Sequence, residues 1–321
     1  MTETPIAAPR RVAWQAPLSA WAILLVAGST WGATFSLAKV VTQTGAHPLG
    51  IALWQSVIGA TILTVVEGSR RRRLPLDRRH LGFYLLCGLL GTAIPSTSYF
   101  YAAPHLAAGV MAITVALSPL LTFLGAALLG LDRLVPARLL GVVLGIVAVL
   151  LIALPKTSLP EPGTAIWVVV VLGAALCYAT ENVVIAELRP PRTQSLTLLW
   201  GMLLISSLAL LPAVLATGSF VSLAWPWGTV EWTIAGMAAI NVFSYWLFVY
   251  LVTATGPVFA SQIAYVVTIF GVLWGLIIFE ERHSAWIWGA LAVMLAGLAL
   301  VTPRGNQESG ARNQEPEPPD S

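Results

Sequence analysis

The chain has 321 residues, of which 57% are hydrophobic and only 10% charged, and its mean hydropathy is +0.82. A soluble globular chain carries roughly 25% charged residues, so this composition excludes a water-soluble domain. The net charge is only +3, and the positive residues are grouped in a few loops, which marks the cytoplasmic side of a membrane protein rather than a nucleic-acid-binding surface. Apolar runs of about 20 residues, long enough to cross ~30 Å of hydrocarbon, recur along the chain. The sequence therefore predicts an all-α integral membrane protein.

Proline, glycine and charged residues divide the apolar runs into ten predicted membrane helices. The boundary between helices 8 and 9 is the weakest, because only residues 253–257 separate the two runs. Residues 1–17 are predicted to form a cytoplasmic tail, 155–163 an external linker and 303–321 a disordered cytoplasmic tail. The predicted helices cover residues 18–40, 48–67, 81–102, 106–130, 135–154, 164–186, 195–216, 230–252, 257–279 and 284–302.

The positive residues also predict the orientation, because cytoplasmic loops retain lysine and arginine. With a cytoplasmic N terminus, 14 of the 17 positive residues fall on the cytoplasmic side, and only Lys39, Lys156 and Arg282 fall outside. An odd number of helices would break this alternation, so the charges independently support ten. We expect an inner (plasma) membrane protein with both termini in the cytoplasm. The run Arg70–Arg73 is interpreted as a topology anchor, with an anionic-lipid or nucleic-acid patch as the alternative.

The sequence contains two similar short charged clusters. Each lies between the end of one apolar run and the start of the next. Asp132 and Glu280 lie 148 residues apart, and each is followed nine positions later by a glycine, Gly141 and Gly289. An odd number of helices ends on the side of the membrane opposite to the one where it began. The second copy of a five-helix unit therefore enters the membrane from the side opposite to the first. The sequence thus predicts two inverted five-helix repeats around a central cavity, which is how many secondary transporters are built. Asp132 and Glu280 are interpreted as helix-end residues that orient the paired helices without touching substrate.

Several short motifs occur in a characteristic order across residues 18–302. They are Trp31–Phe35 with Lys39 in helix 1, Ser118–Leu120 in helix 4, and the Asp132 and Glu280 clusters with the glycines that follow them. In this combination the chain resembles the drug/metabolite transporter superfamily, and within it the ten-helix branch built from two EamA-type domains. The two domains would cover residues 18–154 and 164–302.

The resemblance implies a cavity surrounded by helices 1, 3, 4, 6, 8 and 9, with helices 5 and 10 at the periphery. Relatives of this kind mostly export amino acids and other small metabolites. The chain departs from the common pattern at three positions: Gln55 stands where members often carry arginine, Asp132 where they carry glutamate, and Val267 near a usual proline. The resemblance therefore implies no particular subfamily's substrate.

Polar and aromatic side chains share helix faces at spacings of three, four and seven residues. The clearest stripe is in helix 8, with Asn241, Ser244, Tyr245 and Phe248. Such groups normally face a bundle interior or a wet cavity, although hydroxyls such as that of Ser244 also serve ordinary helix packing. The predicted substrate-binding residues are Trp31, Thr34, Phe35, Ser96, Tyr99, Tyr178, Asn182, Asn241, Tyr245, Gln262 and Tyr265.

Two charged residues need separate interpretation. Glu181 is the one carboxylate expected inside a membrane helix, where it could bind and release a proton during transport. The alternative is that it reaches water, because it lies about four residues from the predicted cytoplasmic end of helix 6. Lys39, near the outer end of helix 1, is expected to extend to the interface, with contact to an anionic substrate as the alternative.

The motifs that would indicate an enzyme are missing from the sequence. It contains no Gly-rich Lys-Ser/Thr phosphate loop, no His-Glu-x-x-His motif and no Gly-x-Ser-x-Gly elbow. Cys87 and Cys177 lie in apolar runs, which does not suggest a cysteine metal cluster. We therefore expect no catalytic residues, metal or cofactor. The predicted function is export of small metabolites, such as amino acids or related amphipathic compounds, by alternating access.

The expected partners are a small-molecule substrate and the lipid bilayer, with proton coupling at Glu181 as a hypothesis and no nucleic acid. Lipid-linked or nucleotide-sugar cargo is a variant of the same class, and a non-transporting membrane sensor or assembly subunit is the alternative from another class. Monomer and homodimer stay open. Gly141 and Gly145 have the spacing that permits close helix approach, which would suit a dimer through helix 5.

Overall fold

The computed structural model describes residues 18–155, 159 and 163–301. The predicted tails at 1–17 and 303–321, and most of the predicted linker with its Lys156, lie outside the described residues. Within the described part of the chain the secondary structure consists of helices. Counting interrupted helices as one, there are ten in succession. The prediction of an all-α membrane architecture is confirmed.

The first five helices are α1 (Leu18–Gln43), α2 (Pro48–Ser69), α3 (Arg78–Ala102), α4 (Ala108–Leu128) and α5 (Pro136–Ala153). The second five are α6 (Ala165–Leu188), α7 (Ser195–Thr217), α8 (Thr229–Thr255), α9 (Ile263–Phe279) and α10 (Ala285–Val301). The helices α1 to α8 are long and apolar enough to cross a membrane, whereas α9 and α10 are shorter apolar helices of 17 residues each.

Most helix ends follow from local chemistry. Helix α3 begins at Arg78, three residues before the predicted start, because the Asp77 carboxylate accepts hydrogen bonds from the backbone N–H groups of Arg79 and His80. This satisfies donors that have no partner inside a helix. Pro48 and Pro136 occupy the first turns of α2 and α5, where the missing proline N–H is not needed.

Two predicted helices are interrupted. Helix α4 has two halves, Ala108–Val115 and Ser118–Leu128. Pro119 stands at the start of the second half, and its ring nitrogen cannot donate to the preceding turn. The predicted helix 9 was wrong at its start: Pro257–Ala260 form a separate turn after Gly256, which has a φ of 86°, and α9 begins only at Ile263.

Helix α3 contains a wider π-turn at Leu89–Ala93. In this turn the Ile94 N–H donates to the carbonyl of Leu89. Pro95, directly after it, has no N–H to continue the α-helical pattern. Single π-turns inside α-helices are often found at functional sites. The turn widens α3 at mid-membrane, where it faces α6.

The helices pack by close backbone contact at glycines. In α1, a Cβ added at Gly32 would lie 2.9 Å from both the Gly271 nitrogen and the Val267 oxygen of α9. In α5, a Cβ at Gly141 would lie 2.7 Å from the Gly297 oxygen of α10. Glycine alone lets these backbones approach so closely. The helix pairs α1–α9 and α5–α10 are therefore fixed by residues that carry no side chain.

The two charged clusters are similar in sequence, but the glycines that follow them are packed differently. Gly141 packs against α10, and Gly145 packs against Leu117 and Leu120 of α4. Both glycines therefore have packing partners within this chain. At Gly289, a Cβ would meet nothing within 4 Å. Gly289 is therefore not a position of close helix contact, unlike Gly141.

The loops distinguish the two ends of the bundle. Arginines of the α2–α3, α4–α5 and α6–α7 connections gather at one end, which we call the inner end, and Lys39 and Arg282 lie at the opposite, outer end. Trp225 and Trp232, with exposed fractions of 80% and 60%, lie near the outer end. This placement suits side chains that sit at a membrane interface.

We predict that Gly32→Ala lowers the stability of the protein, whereas Gly173→Ala does not. The first methyl group would press on the α9 backbone and cost about 1–3 kcal/mol. Gly173 lies on an exposed face of α6 with nothing within 4 Å of an added Cβ, and alanine favours a helix by about 1 kcal/mol. Thermal unfolding of the two purified variants in detergent measures the difference. Equal midpoints would contradict the proposed backbone contact.

Candidate functional site

Three aromatic rings from three helices meet inside the bundle. Phe35 of α1 lies 5.7 Å from Tyr99 of α3, and Tyr99 lies 6.2 Å from Tyr178 of α6, measured between ring centroids. We call these residues the aromatic cluster. The Tyr99 hydroxyl is buried and has no hydrogen-bond partner among the described residues. Because buried polar groups are normally paired, this hydroxyl is suited to a water molecule or a ligand.

A second contact joins α1 to α8 at mid-membrane. The Trp31 indole N–H donates to the Asn241 side-chain oxygen over 3.1 Å, and the Phe248 ring lies 6.3 Å from that of Trp31. The two hydroxyls of Thr30 and Ser244 are 2.8 Å apart. Three of the four residues of the helix 8 stripe thus face α1: Ser244 lies against Thr30, and Asn241 and Phe248 lie against Trp31. The Asn241 NH₂ group donates no hydrogen bond to the described residues and is free to bind another group.

Glu181 is more deeply placed than the sequence predicted. Helix α6 continues to Leu188, and the Glu181 side chain is buried, with an exposed fraction of 8% for the residue. Its carboxyl group occupies a notch at Gly91 in the π-turn of α3, where any Cβ would overlap it. This placement does not favour the alternative that Glu181 reaches water by extending from the helix end.

Glu181 is not the only carboxylate inside a helix, contrary to the prediction. Glu67 near the inner end of α2 is fully buried, with the guanidinium groups of Arg70 and Arg72 at 3.6 and 3.4 Å. The Thr197 hydroxyl donates to Glu67 over 2.7 Å. These contacts neutralise the charge and tie α2 to α7, so Glu67 has a structural role.

The inner half of α6 has an exposed polar residue on its interior face. Ile166, Val169 and Leu176 form an exposed apolar stripe that suits lipid. Asn182 points to nearly the opposite side of the helix, where most residues are buried, yet it is exposed. Its NH₂ group donates to the Thr122 hydroxyl of α4 over 3.2 Å. An exposed polar residue on the interior face indicates an inner crevice between α4 and α6.

An ion pair joins three elements at the outer end. The Lys39 ammonium of α1 lies 2.9 Å from the Glu281 carboxylate, which follows α9, and the same oxygen accepts from the Ala108 N–H of α4 over 2.9 Å. The prediction that Lys39 extends to the interface is wrong, because its side chain is turned inward. The neighbouring Glu280 is exposed at the end of α9, as expected of a helix-end residue.

The remaining predicted residues have different positions. Ser96 is half-buried one turn before Tyr99, and Tyr245 packs on the α2–α7 side with its ring 6.5 Å from Phe248. The Thr34 hydroxyl donates to its own helix backbone. Gln262 precedes α9 at the inner end, and Tyr265 packs against the hydrophobic core that also contains Phe35 and Tyr99.

Sequence reasoning missed Gly91, Thr122 and Glu281. Gly91 carried one signal, because it lies four residues before Pro95 and proline disturbs the preceding turn. Thr122 and Glu281 carried none, since their partners lie 60 and 242 residues away in the chain. In the described part of the chain, no three His, Cys, Asp or Glu residues are grouped so that they could hold a metal ion.

The chain was compared with known proteins. The family model described as "EamA-like transporter family" matches twice, at residues 18–154 and 165–302. A solved structure described as "Crystal structure of protein" is similar over 89% of this chain and 97% of its own, with 19% identity and a TM-score of 0.59. That likeness concerns the fold alone. No curated protein matches the chain.

The two matches together cover both halves of the described bundle, α1 to α5 and α6 to α10. This chain therefore belongs to the EamA-like transporter family and is a multi-pass membrane transporter of the drug/metabolite transporter type.

Proposed function

We propose that this protein exports small metabolites, such as amino acids or related amphipathic compounds, by alternating access across the inner (plasma) membrane, with both termini in the cytoplasm. One observation carries the proposal: the aromatic cluster lies between the Lys39–Glu281 ion pair, which ties helices together at the outer end, and the exposed Asn182 on the inner side. A site that is closed on one side and approachable from the other is what alternating access requires.

The side chains around the centre favour amphipathic compounds. Phe35, Tyr99 and Tyr178 offer aromatic surface from both halves of the chain. The Tyr99 hydroxyl and the Asn241 NH₂ group offer a few orienting hydrogen bonds. Ligand sites commonly combine apolar walls with a small number of polar groups that fix orientation. A compound with an apolar side and a compact polar end fits this lining.

The alternative of a non-transporting sensor or assembly subunit predicts interior polar groups that are bonded only to one another. Trp31 with Asn241, and Asn182 with Thr122, are paired in this way. The buried hydroxyls of Tyr99 and Thr97, however, have no partner among the described residues. Such groups support a cavity that takes a ligand or water, and so favour transport.

The direction of the opening supports export. Arginines mark the inner end as cytoplasmic by the positive-inside rule, and the crevice opens toward that end. This conformation is the one that would load a substrate from the cytoplasm, which is the first step of export. The closed outer end would then have to open for release.

We predict that Asn182→Cys reacts with a membrane-impermeant maleimide from the cytoplasmic side. The background is the full chain with Cys87→Ala and Cys177→Ala, in inside-out vesicles. Thr180→Cys, two residues away on the lipid-facing side of α6, should stay unlabelled, because thiols in hydrocarbon do not form thiolates. Equal labelling of the two variants would rule out the inner crevice.

Removing central side chains should reduce export. Asn241→Ala removes the contact to Trp31, and Tyr245→Ala removes the phenol ring beside Phe248. One hydrogen bond of about 1.4 kcal/mol corresponds to roughly tenfold in affinity. The measurement is a metabolite export screen in overexpressing cells, followed by dose dependence for the compound found. Trp246→Ala, on the lipid side of the same helix with Trp246 43% exposed, is the control. Normal export by both site variants would show that the site is elsewhere.

We further propose that Glu181 couples export to protons. It is a buried intramembrane carboxyl group with no ion-pair partner among the described residues, whereas Glu67 and Glu281 each have one. Carboxyl groups of this kind act as proton relays in transporters. Its notch at Gly91 places it against the π-turn of α3, so gain or loss of its charge would act directly on that helix.

Glu181→Gln should abolish transport driven by a pH gradient in reconstituted vesicles, because glutamine cannot release a proton. Exchange of substrate between equal pools should persist, since it needs no net proton movement. Glu187→Gln, at the exposed inner end of the same helix, is the matched control and should retain gradient-driven transport. Unchanged gradient-driven transport in Glu181→Gln would remove this residue from the mechanism.

A further inference from the structure

One carboxylate joins three elements at the outer end. The Glu281 Oε1 atom accepts from the Lys39 ammonium and from the Ala108 N–H, both at 2.9 Å. Lys39 belongs to the end of α1, Ala108 is the first residue of α4, and Glu281 follows α9. We call this arrangement the outer latch. The side chains of Lys39 and Glu281 are only 16% and 7% exposed, so water screens the pair weakly.

The second oxygen of the same carboxylate has no hydrogen-bond partner. Glu281 Oε2 lies 3.7 Å from His283 Nε2, and both atoms are buried and unpaired among the described residues. The His283 side chain is 1% exposed. A proton added to His283 Nε2 would therefore lie beside the Glu281 carboxylate, which holds the latch together.

The surroundings of His283 contain few charges. Helix α4 contributes Gly109, where a Cβ would lie 2.9 Å from His283 Nε2 and 3.2 Å from Val272 of α9. Helix α10 contributes the Trp288 ring at 6.0 Å. The titratable groups that act on His283 are Glu281 of its own loop and Lys39 of α1. Protonation of His283 would thus introduce a second cation beside Lys39.

We propose that the outer latch is the gate on the release side of the transporter, and that protonation of His283 from the external side opens it. Charged His283 competes with Lys39 for Glu281 and repels the ammonium, so the tie between α1, α4 and the α9–α10 loop is lost. The proposal rests on the alternating access proposed above and adds the gate and its control by external pH.

The direction of the pH effect follows from linkage. Burial lowers the pKa of His283 below its ordinary value of 6.5, the Glu281 carboxylate opposes that shift and the Lys39 ammonium adds to it. The closed latch therefore holds the imidazole neutral. Opening would bring His283 into water and restore its ordinary pKa, so the open state binds the proton more tightly. A fall in external pH through about 6.5 favours opening, and a rise restores the closed state.

The latch lies directly above the proposed site. Below it, Gly271 of α9 contacts Ala112 of α4, and a Cβ at Gly271 would lie 3.2 Å from the Phe35 ring. Phe35 in turn contacts Tyr99. Separation of α9 from α1 and α4 at this level would uncover the aromatic cluster from the outer side.

The test measures the outer end directly and needs no substrate. Spin labels are attached at Gln43→Cys and Ala285→Cys, two exposed positions at the ends of α1 and α10, in the full chain with Cys87→Ala and Cys177→Ala in lipid nanodiscs. Pulsed dipolar spectroscopy then gives the distance distribution at pH 8 and pH 5. We expect one short distance at pH 8 and at least a roughly fivefold larger long-distance fraction at pH 5, which corresponds to a shift of about 1 kcal/mol.

Four variants decide the outcome. Lys39→Met and Glu281→Gln should show the long distance already at pH 8. His283→Asn should keep the short distance at both pH values, whereas His105→Asn, at an exposed outer histidine that stacks on Trp167 at 4.2 Å, should respond like the parent protein.

Unchanged distances in both Lys39→Met and Glu281→Gln would overturn the latch. A full pH response in His283→Asn would overturn its control by His283. Export is measured separately with Asn241→Ala and Tyr245→Ala, so failure of the latch and failure of the export proposal can be told apart.

Discussion

Hydrocarbon offers no hydrogen-bond partner, so polar groups at membrane depth must be satisfied inside the protein. The three buried carboxylates meet this constraint differently. Glu67 is neutralised by Arg70 and Arg72, and Glu281 by Lys39, but Glu181 has no ion-pair partner among the described residues. Glu67 is held by two arginines, whereas Glu181 has no such partner, and this contrast is what supports our proposal of proton coupling at Glu181.

Two related helix interfaces are packed unequally. In one, α1 and α9 touch at Gly32 and Gly271 with no side chain between their backbones. In the other, α4 and α6 are joined by the Asn182–Thr122 hydrogen bond, and an added Cβ at Gly125 would lie 3.8 Å from its nearest neighbour, Val183. The first interface has its backbones in direct contact, whereas the second leaves more room between its helices. An exchange of tight and loose packing between such interfaces is a physical form of alternating access.

The short-range features of the fold were predictable because they depend on local chemistry. Apolar run length and the alternation of arginines indicated ten helices, and the spacing of Asn241, Ser244 and Phe248 indicated one shared face, which the structure turns toward Trp31 and Thr30. The start of α9 was not predictable from hydropathy, because the residues of the separate turn at Pro257–Ala260 are as apolar as those of the helix. Backbone geometry at Gly256 decided it.

The sequence by itself determined that the chain lies in a membrane, how many times it crosses and which residues are unusual for that depth. Only the tertiary structure decided what those residues touch. Lys39 and Glu281 are separated by 242 residues, and their contact requires α1, α4 and α9 to meet at one end. Glu181 is buried because Gly91 leaves room for it in another helix. Periodicity is a property of one helix, whereas the partner of a polar side chain depends on how several helices pack, and that is set by close contacts spread over the whole chain.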